Sequence, residues 1–280
     1  MSGSPKRAYL ARGLRMLVLL TFAAFFVLPL IWLVLASTKT SYQLVYENPF
    51  AFGSLHNVAV AWRALDGFND HIYRRWLANS IYYSLSATAL TIATGLPAGY
   101  GLAVARFPGR RLVLALTLVT MLMPSIALVL PIFLELSRAG LLGHSAAVIL
   151  PFAFFPFGVY ISYLYYSNAM PPSLLDAARV DGCSEWQVFR RVALPLAGPV
   201  VGLVFFLSFT ADWGNFFLPF VALTEPRQYT IQVGLTDVLT TASQPEVALA
   251  TVLAAVPLAI VFVICQRTLR HGLFGGVLKG

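Results

Sequence analysis

Residues 16–38 read MLVLLTFAAFFVLPLIWLVLAST and contain no Asp, Glu, Lys or Arg. About 20 apolar residues in a helix cross the hydrocarbon core of a bilayer, and each charge at its centre costs roughly 2.5 to 3.5 kcal/mol. The chain as a whole is 59% apolar and 11% charged, against about 45–50% and about 25% in soluble domains. The composition therefore excludes a soluble protein, and we expect the lipid bilayer and no nucleic acid among its partners.

Five further apolar runs follow the first one. Backbone polar groups in lipid must be satisfied within the segment, so the runs predict helices. The sequence therefore predicts an all-α, polytopic membrane helical bundle that forms a single domain over residues 1–280. The predicted spans are about 16–38, 77–105, 112–135, 145–168, 198–220 and 246–268.

The first run has a second interpretation, since Lys6, Arg7, Arg12 and Arg15 precede it as they would precede the apolar core of a signal peptide. That core is typically 7 to 15 residues long. The run is longer than this, which favours an uncleaved helix.

The distribution of the net charge of +8 indicates how the chain is oriented in the membrane. Lys and Arg are enriched in the cytoplasmic loops of membrane proteins. With the N-terminus inside, 13 of the 19 basic residues fall on the inner side. We therefore expect both termini to be cytoplasmic, and segments 37–75 and 221–245 to be extracytoplasmic loops.

A polar segment at residues 171–195 interrupts the apolar pattern, with the sequence PPSLLDAARVDGCSEWQVFRRVALP. Ser173 with Asp176, and Ser184 with Gln187, have the spacing of helix N-terminal capping pairs. Gly182 follows Asp181 and permits the left-handed turn that ends a helix. We predict two short cytoplasmic helices with an apolar face that requires a partner, formed by Leu175, Ala178, Trp186 and Phe189. For Trp186 and Phe189, packing under the bundle is the alternative.

The segment resembles the Glu-Ala-Ala ("EAA") loop of ATP-binding-cassette (ABC) importer permeases. The resemblance lies in Asp176-Ala177-Ala178, in Gly182 and in the later Pro195, with Asp replacing the usual Glu and Cys183 standing where Ala or Ser is common. Outside the loop, the chain is similar to the smaller permease subunit of maltose-type carbohydrate importers. The supporting motifs are Asn79-Ser80, Met123-Pro124 with Pro131, Trp213 to Pro219, Gln266-Arg267 and Gly272-Leu273.

The resemblance implies a type I ABC importer permease fold in the plasma (inner) membrane of a prokaryote. It also implies a second permease subunit in a heterodimer, two ATP-binding-cassette ATPase subunits and an extracytoplasmic solute-binding protein. The chain would bind no cofactor directly, with ATP and Mg held by the ATPase subunits. Residues expected to couple to the ATPase are Asp176, Ala177, Ala178, Asp181, Gly182, Trp186 and Phe189, with the C-terminal tail residues His271, Gly272 and Lys279.

Asp212 is a charge set within an apolar span. Such residues usually face a bundle interior or a wet cavity, which makes a translocation path the default hypothesis. Solvation near the outer membrane surface is the alternative. The path residues expected from this argument and from the family motifs are Asn79, Met123, Pro124, Asp212, Trp213 and Asn215.

The sequence has no Gly-x-x-x-x-Gly-Lys-Ser/Thr motif, so we expect a separate subunit to hydrolyse ATP. It also lacks a nucleophile and base pattern, so we expect a transport subunit rather than an enzyme. The alternative is an ion-coupled secondary transporter that works without an ATPase. That class needs buried titratable groups, for which Asp212 is the candidate.

Overall fold

The computed structural model describes residues 5–274, with side chains for residues 12–268. All regular elements in that part of the chain are helical. The chain divides into two units, residues 1–71 with 235–254, and residues 72–234 with 255–280. The α-helices are α1 Pro5–Ala36, α2 Ser41–Tyr46, α3 Leu55–Gly67, α4 Ile72–Val104, α5 Arg110–Met121, α6 Ser125–Arg138, α7 Ala146–Ile149, α8 Pro156–Asn168, α9 Pro172–Val180, α10 Glu185–Val188, α11 Leu194–Leu196, α12 Gly198–Trp213, α13 Phe217–Ala222, α14 Ile231–Thr241 and α15 Gln244–Phe274.

In the described residues, four helices are long and apolar enough to cross a membrane, and up to six if each of two bent helix pairs counts as one span. The four are 12–36, 72–104, 146–168 and 244–268. The apolar side chains of α1 are largely exposed, with Phe25 at 73%. An apolar exposed surface of this length suits contact with lipid chains rather than with water.

The first unit continues from α1 through a buried corner at Thr38 and Lys39. Lys39 is 1% exposed, and its ammonium group donates to the carbonyl oxygens of Asn48 and Pro49. The carbonyl oxygen of Thr38 accepts from the backbone N–H of Ser54 at 2.7 Å. These bonds fold the start of the predicted 37–75 loop into a compact segment that contains α2 and leads into α3.

The second unit is organised around α4, which packs against α8 and α12. Gly99 allows the closest approach, because a Cβ atom built there would lie 2.4 Å from the Cβ of Ser162 in α8. Gly95 has ordinary spacing, with its nearest neighbour, Val159, at 3.8 Å. Small residues of this kind let membrane helices come together closely.

Three predicted spans are not single α-helices. The span predicted at 145–168 contains α7 and α8, with a 3-10 turn and residues 153–155 between them. The span predicted at 112–135 is broken between α5 and α6, with a bend of 106°. Pro124 stands at this break and forces Met123 away from helical geometry, because its ring clashes with the preceding residue. The span predicted at 198–220 ends at Trp213, and a separate short helix, α13, begins at Phe217.

Candidate functional site

The polar segment 171–195 folds as two helical pieces, α9 and α10, joined by a tight turn. Gly182 has a φ of +83°. Its N–H donates to Arg179 O at 3.0 Å, and the Cys183 N–H donates to Ala178 O at 3.1 Å. This pair of bonds is the Schellman pattern that ends a helix in a left-handed residue. The predicted turn at Asp181-Gly182 is confirmed.

Of the two predicted caps, one is confirmed and one is wrong. Ser184 accepts from the N–H of Gln187, and the Gln187 side chain accepts from the N–H of Ser184. At α9, Pro171 occupies the cap position and no side chain caps the helix. Pro172 lacks one of the N–H groups that a cap would satisfy and has a φ suited to a first helical turn, so Ser173 is not needed there.

A salt-bridge cluster of Asp176, Arg179 and Glu185 joins the two helical pieces. The Arg179 guanidinium donates to Asp176 Oδ1 at 2.7 Å, and to the Glu185 carboxylate through Nε at 2.7 Å and Nη2 at 3.2 Å. The hydrogen bond from Arg179 lowers the pKa of Glu185. The Arg179 guanidinium makes two hydrogen bonds to the Glu185 carboxylate, which sets their relative orientation. The cluster therefore fixes the angle between α9 and α10.

The apolar residues of the segment divide into a buried and an exposed set. Leu175, Ala178 and Phe189 are at most 9% exposed, and pack with α4, α8 and α12 side chains such as Tyr100, Tyr166 and Val204. The expectation of an external partner is therefore wrong for Leu175 and Ala178, and for Phe189 the alternative of packing under the bundle is confirmed. The chain's own core covers them.

The exposed surface of the segment includes, around the turn, Val180, Asp181, Gly182 and Trp186, next to Asp176 and Ala177. We refer to these six residues as the exposed tip. Val180 is 87% exposed and Trp186 62% exposed. Val180 was not among the residues selected from the sequence, although an apolar residue just before an Asp-Gly turn is a usable signal. The tip presents two apolar side chains and two carboxylates on a rigid base.

Asp212 lies in the second unit, against α4. Its carboxylate accepts from the Thr88 hydroxyl at 3.4 Å. The Ser208 hydroxyl, which donates to the carbonyl oxygen of Val204 at 2.8 Å, lies 3.4 Å from the Thr88 oxygen. Thr88 is fully buried and Ser208 is 1% exposed. This chain of three polar side chains connects α12 with the middle of α4, so Asp212 faces a neighbouring helix.

The other predicted path residues are distributed over several places. Trp213 is 3% exposed and stacks on Phe209 at 5.6 Å. Asn215 Oδ1 accepts from the N–H of Leu218 at 3.4 Å, at the start of α13. These two residues follow Asp212 closely in sequence. The Trp213 ring is buried, and the Asn215 side chain accepts from the backbone at the start of α13.

Asn79 and the Met123-Pro124 pair lie elsewhere. The amide group of Asn79 donates to the carbonyl oxygens of Arg227 and Tyr229, at 2.9 and 3.1 Å. It therefore ties the start of α4 to the loop before α14. Met123 and Pro124 are exposed at the break between α5 and α6.

The tail residues His271, Gly272 and Lys279 lie outside the residues whose side chains are described. The backbone of α15 continues to Phe274. Their predicted proximity to an ATPase stays a prediction.

Comparison with known proteins gives consistent matches. Residues 95–274 match the family described as binding-protein-dependent transport system inner membrane component. The arabinooligosaccharides transport system permease protein AraQ of Halalkalibacterium halodurans is 33% identical over 267 residues, covering 92% of this chain and 94% of that protein. The lactose transport system permease protein LacG of Rhizobium radiobacter is 32% identical, covering 92% and 93%.

A solved structure shares the fold. It is a chain of a bacterial ABC transporter involved in the import of the acidic polysaccharide alginate, with a TM-score of 0.80 over 95% of this chain and 98% of that one. The sequence identity is 22%. The likeness therefore concerns the arrangement of the helices.

Proposed function

Because the chain belongs to the family of binding-protein-dependent transport system inner membrane components, we propose that it is one of two permease subunits in an ATP-driven importer of an oligosaccharide or related carbohydrate. Its relatives are named as permeases for arabinooligosaccharides and lactose. The chain is a transport component and not an enzyme. Its proposed location is the inner membrane of a prokaryote.

The observation that carries this proposal is the exposed tip on the polar segment. A surface with Val180 at 87% and Trp186 at 62% exposure, next to the carboxylates of Asp176 and Asp181, suits a cleft on another protein. Exposed aromatic side chains of this kind are typical anchors of protein interfaces. We assign the tip to an ATPase subunit, since the sequence has no phosphate-binding loop of its own.

The underside of the segment provides the mechanical connection. Leu175, Ala178 and Phe189 are buried against α4, α8 and α12 in one cluster. Closely packed interiors shift as units rather than deform continuously. When the ATPase pair closes on ATP, displacement of the tip is passed to three spans together. This favours one packing of the permease pair over the other.

The proposed complex contains the second permease as a heterodimer partner, two ATPase subunits that hold ATP and Mg, and an extracytoplasmic solute-binding protein. The family description supports the last of these. We place Asp212 with Thr88 along the translocation path. For Asn79, whose amide is committed to two carbonyl groups, we propose a supporting role instead.

The proposal is tested by copurification, with a matched pair of variants. A tagged chain expressed with its neighbouring genes should bring down an ATPase subunit. Gly182→Val should weaken this association and lower binding-protein-stimulated ATPase activity at least tenfold. Gly109→Val is the control, because Gly109 has a φ of +86° and, like Gly182, nothing within 4 Å of a built Cβ.

Both substitutions force a valine into left-handed backbone, at roughly 1–2 kcal/mol each. They should therefore cost similar stability while only Gly182→Val uncouples the ATPase. Equal loss in both variants would assign the effect to folding and refute the coupling role. A chain that purifies alone and transports on an ion gradient would support the secondary transporter instead.

A further inference from the structure

Exposed apolar side chains are grouped just beyond the end of α1, in and around the short helix α2. Tyr42, Val45 and Tyr46 are between 62% and 73% exposed. Residues three and four apart lie on the same side of a helix, so these three side chains form one apolar face of α2. The rings of Tyr42 and Tyr46 pack together, with centroids 4.8 Å apart. Phe50 and Phe52, which follow α2, are also exposed. We refer to these five residues as the α2 patch. Exposed apolar surface of this kind marks an interaction site.

The length of α1 indicates where the α2 patch lies relative to the bilayer. After Arg15, α1 continues for 21 uncharged residues, 16–36, and ends at Ala36. At about 1.5 Å per residue these span about 31 Å, which matches the thickness of about 30 Å of the hydrocarbon core. Ala36 therefore lies at one edge of the hydrocarbon. Trp32, exposed one turn earlier, lies close to the depth at which tryptophan is enriched.

Hydrogen bonds to the corner after α1 keep the α2 patch close to this edge. The Lys39 ammonium group donates to the carbonyl oxygens of Asn48 and Pro49, which follow α2 directly. The Thr38 carbonyl oxygen accepts from the N–H of Ser54 at 2.7 Å. The chain therefore returns twice to the end of α1. Because α2 has only six residues, and is thus about 9 Å long, the patch stays near the headgroups.

The composition of this part of the chain favours a lipid surface over another protein. Between Ser41 and Leu55 the only charged residue is Glu47. Tyrosine is enriched where hydrocarbon meets the headgroups, because its ring is apolar and its hydroxyl is polar. The exposed apolar surface of α1 extends to Val34, two residues before its end. The patch thus adjoins, along the chain, a helix surface that is suited to lipid.

We propose that the α2 patch lies in the outer headgroup region of the bilayer and binds the lipid surface. Helix α2 then lies along the membrane, with its apolar face about 5–10 Å into the boundary between headgroups and acyl chains. The corner at Thr38 and Lys39 holds it at this depth. The start of the segment 37–75 is therefore anchored on lipid, and this part of the segment is not available to a solute-binding protein.

Fluorescence quenching in proteoliposomes tests this proposal. Val45→Cys or Tyr46→Cys is introduced into the full chain after its two native cysteines are replaced, as Cys183→Ser and Cys265→Ala, and the new thiol is labelled with bimane. The protein, with whatever subunits copurify, is reconstituted in dioleoylphosphatidylcholine vesicles. One quencher is a phosphatidylcholine with a nitroxide near the top of one acyl chain. The other is iodide on both sides of the membrane. The chain without an introduced cysteine gives the background.

Ala64→Cys is the matched control, because Ala64 is an exposed residue of α3, next to the exposed Arg63 and in the same unit as α2. We expect iodide to quench the labels at Val45 and Tyr46 at least about fivefold less than the label at Ala64, as for side chains about 5–10 Å into the boundary region. The nitroxide lipid should quench the labels at Val45 and Tyr46 more strongly than the label at Ala64. The two labelled positions keep the test valid if one variant fails to fold.

Three results would overturn the proposal. Iodide quenching at Val45 and Tyr46 equal to that at Ala64 would place the α2 patch in water. Protection from both quenchers would place it in a protein interface, such as one with a second permease subunit. Protection from iodide that appears only after a solute-binding protein is added would assign the patch to that partner.

Discussion

The contact between α4 and α8 at Gly99 gives the sharpest prediction about stability. A Cβ atom at this position would lie 2.4 Å from Ser162 Cβ and 2.8 Å from the backbone nitrogen of Tyr163. Ordinary van der Waals contacts begin near 3.4 Å, so Gly99→Ala requires α4 and α8 to separate by about 1 Å. Overpacking of this size costs roughly 1–3 kcal/mol.

For a chain of this size, each kcal/mol shifts the melting temperature by about 2–4 °C. We therefore expect Gly99→Ala to lower it by roughly 4–8 °C if the cost is about 2 kcal/mol. Thermal unfolding in detergent, followed by tryptophan fluorescence, measures this. The control is Gly101→Ala, two residues along α4, where a Cβ meets nothing within 4 Å.

Alanine has a higher helix propensity than glycine, by about 0.8–1 kcal/mol. Gly101→Ala should therefore be as stable as the parent protein or slightly more stable. Equal melting temperatures of the Gly99→Ala and Gly101→Ala variants would refute the close approach of α4 and α8.

Two further predictions concern polar contacts. Arg179 lowers the pKa of Glu185. At neutral pH their pairing therefore stabilises the polar segment, by less than about 1 kcal/mol at this exposed site. This stabilisation is lost as the pH falls through the lowered pKa of Glu185. Hydrogen exchange of the segment, corrected for intrinsic rates, should accelerate below about pH 4.5; Arg179→Gln should remove the pH dependence, and an unchanged dependence would contradict the role of the pair. Thr88→Val removes the hydroxyl that donates to Asp212 and should cost about 1–3 kcal/mol in thermal unfolding, while Thr88→Ser should restore most of it; equal stability of the two variants would count against the buried contact.

Much of the helical architecture follows from the sequence. The all-helical fold and the resemblance to carbohydrate importer permeases are confirmed, and four to six helices are apolar enough to be spans in the described residues. The turn at Gly182 and the cap at Ser184 are confirmed because both depend on a few adjacent residues. Local chemistry of this kind is fully present in the sequence.

The predictions that depend on tertiary contacts are less complete. The spacing of Leu175, Ala178 and Phe189 shows that the segment has apolar side chains to bury, but not whether its own core or another protein covers them. Asp176 has the spacing of a capping residue, yet its carboxylate pairs with Arg179. Competition between such partners is decided by the three-dimensional arrangement.

The sequence also does not determine where proline breaks a span. Proline occurs at Pro97 inside α4 without ending it, and at Pro124 with a sharp bend. Proline removes one donor in either case. The neighbouring helices decide whether the lost bond is tolerated, and those neighbours are not visible in the sequence.

The most direct test of ATP-driven transport is uptake by proteoliposomes that contain this chain with its copurifying subunits and a solute-binding protein outside. Labelled arabino-oligosaccharides and lactose are reasonable first substrates, given the named relatives. We predict accumulation that requires ATP inside the vesicles and is unaffected by ionophores. Uptake that proceeds without ATP and stops when the ion gradient is removed would contradict ATP-driven transport.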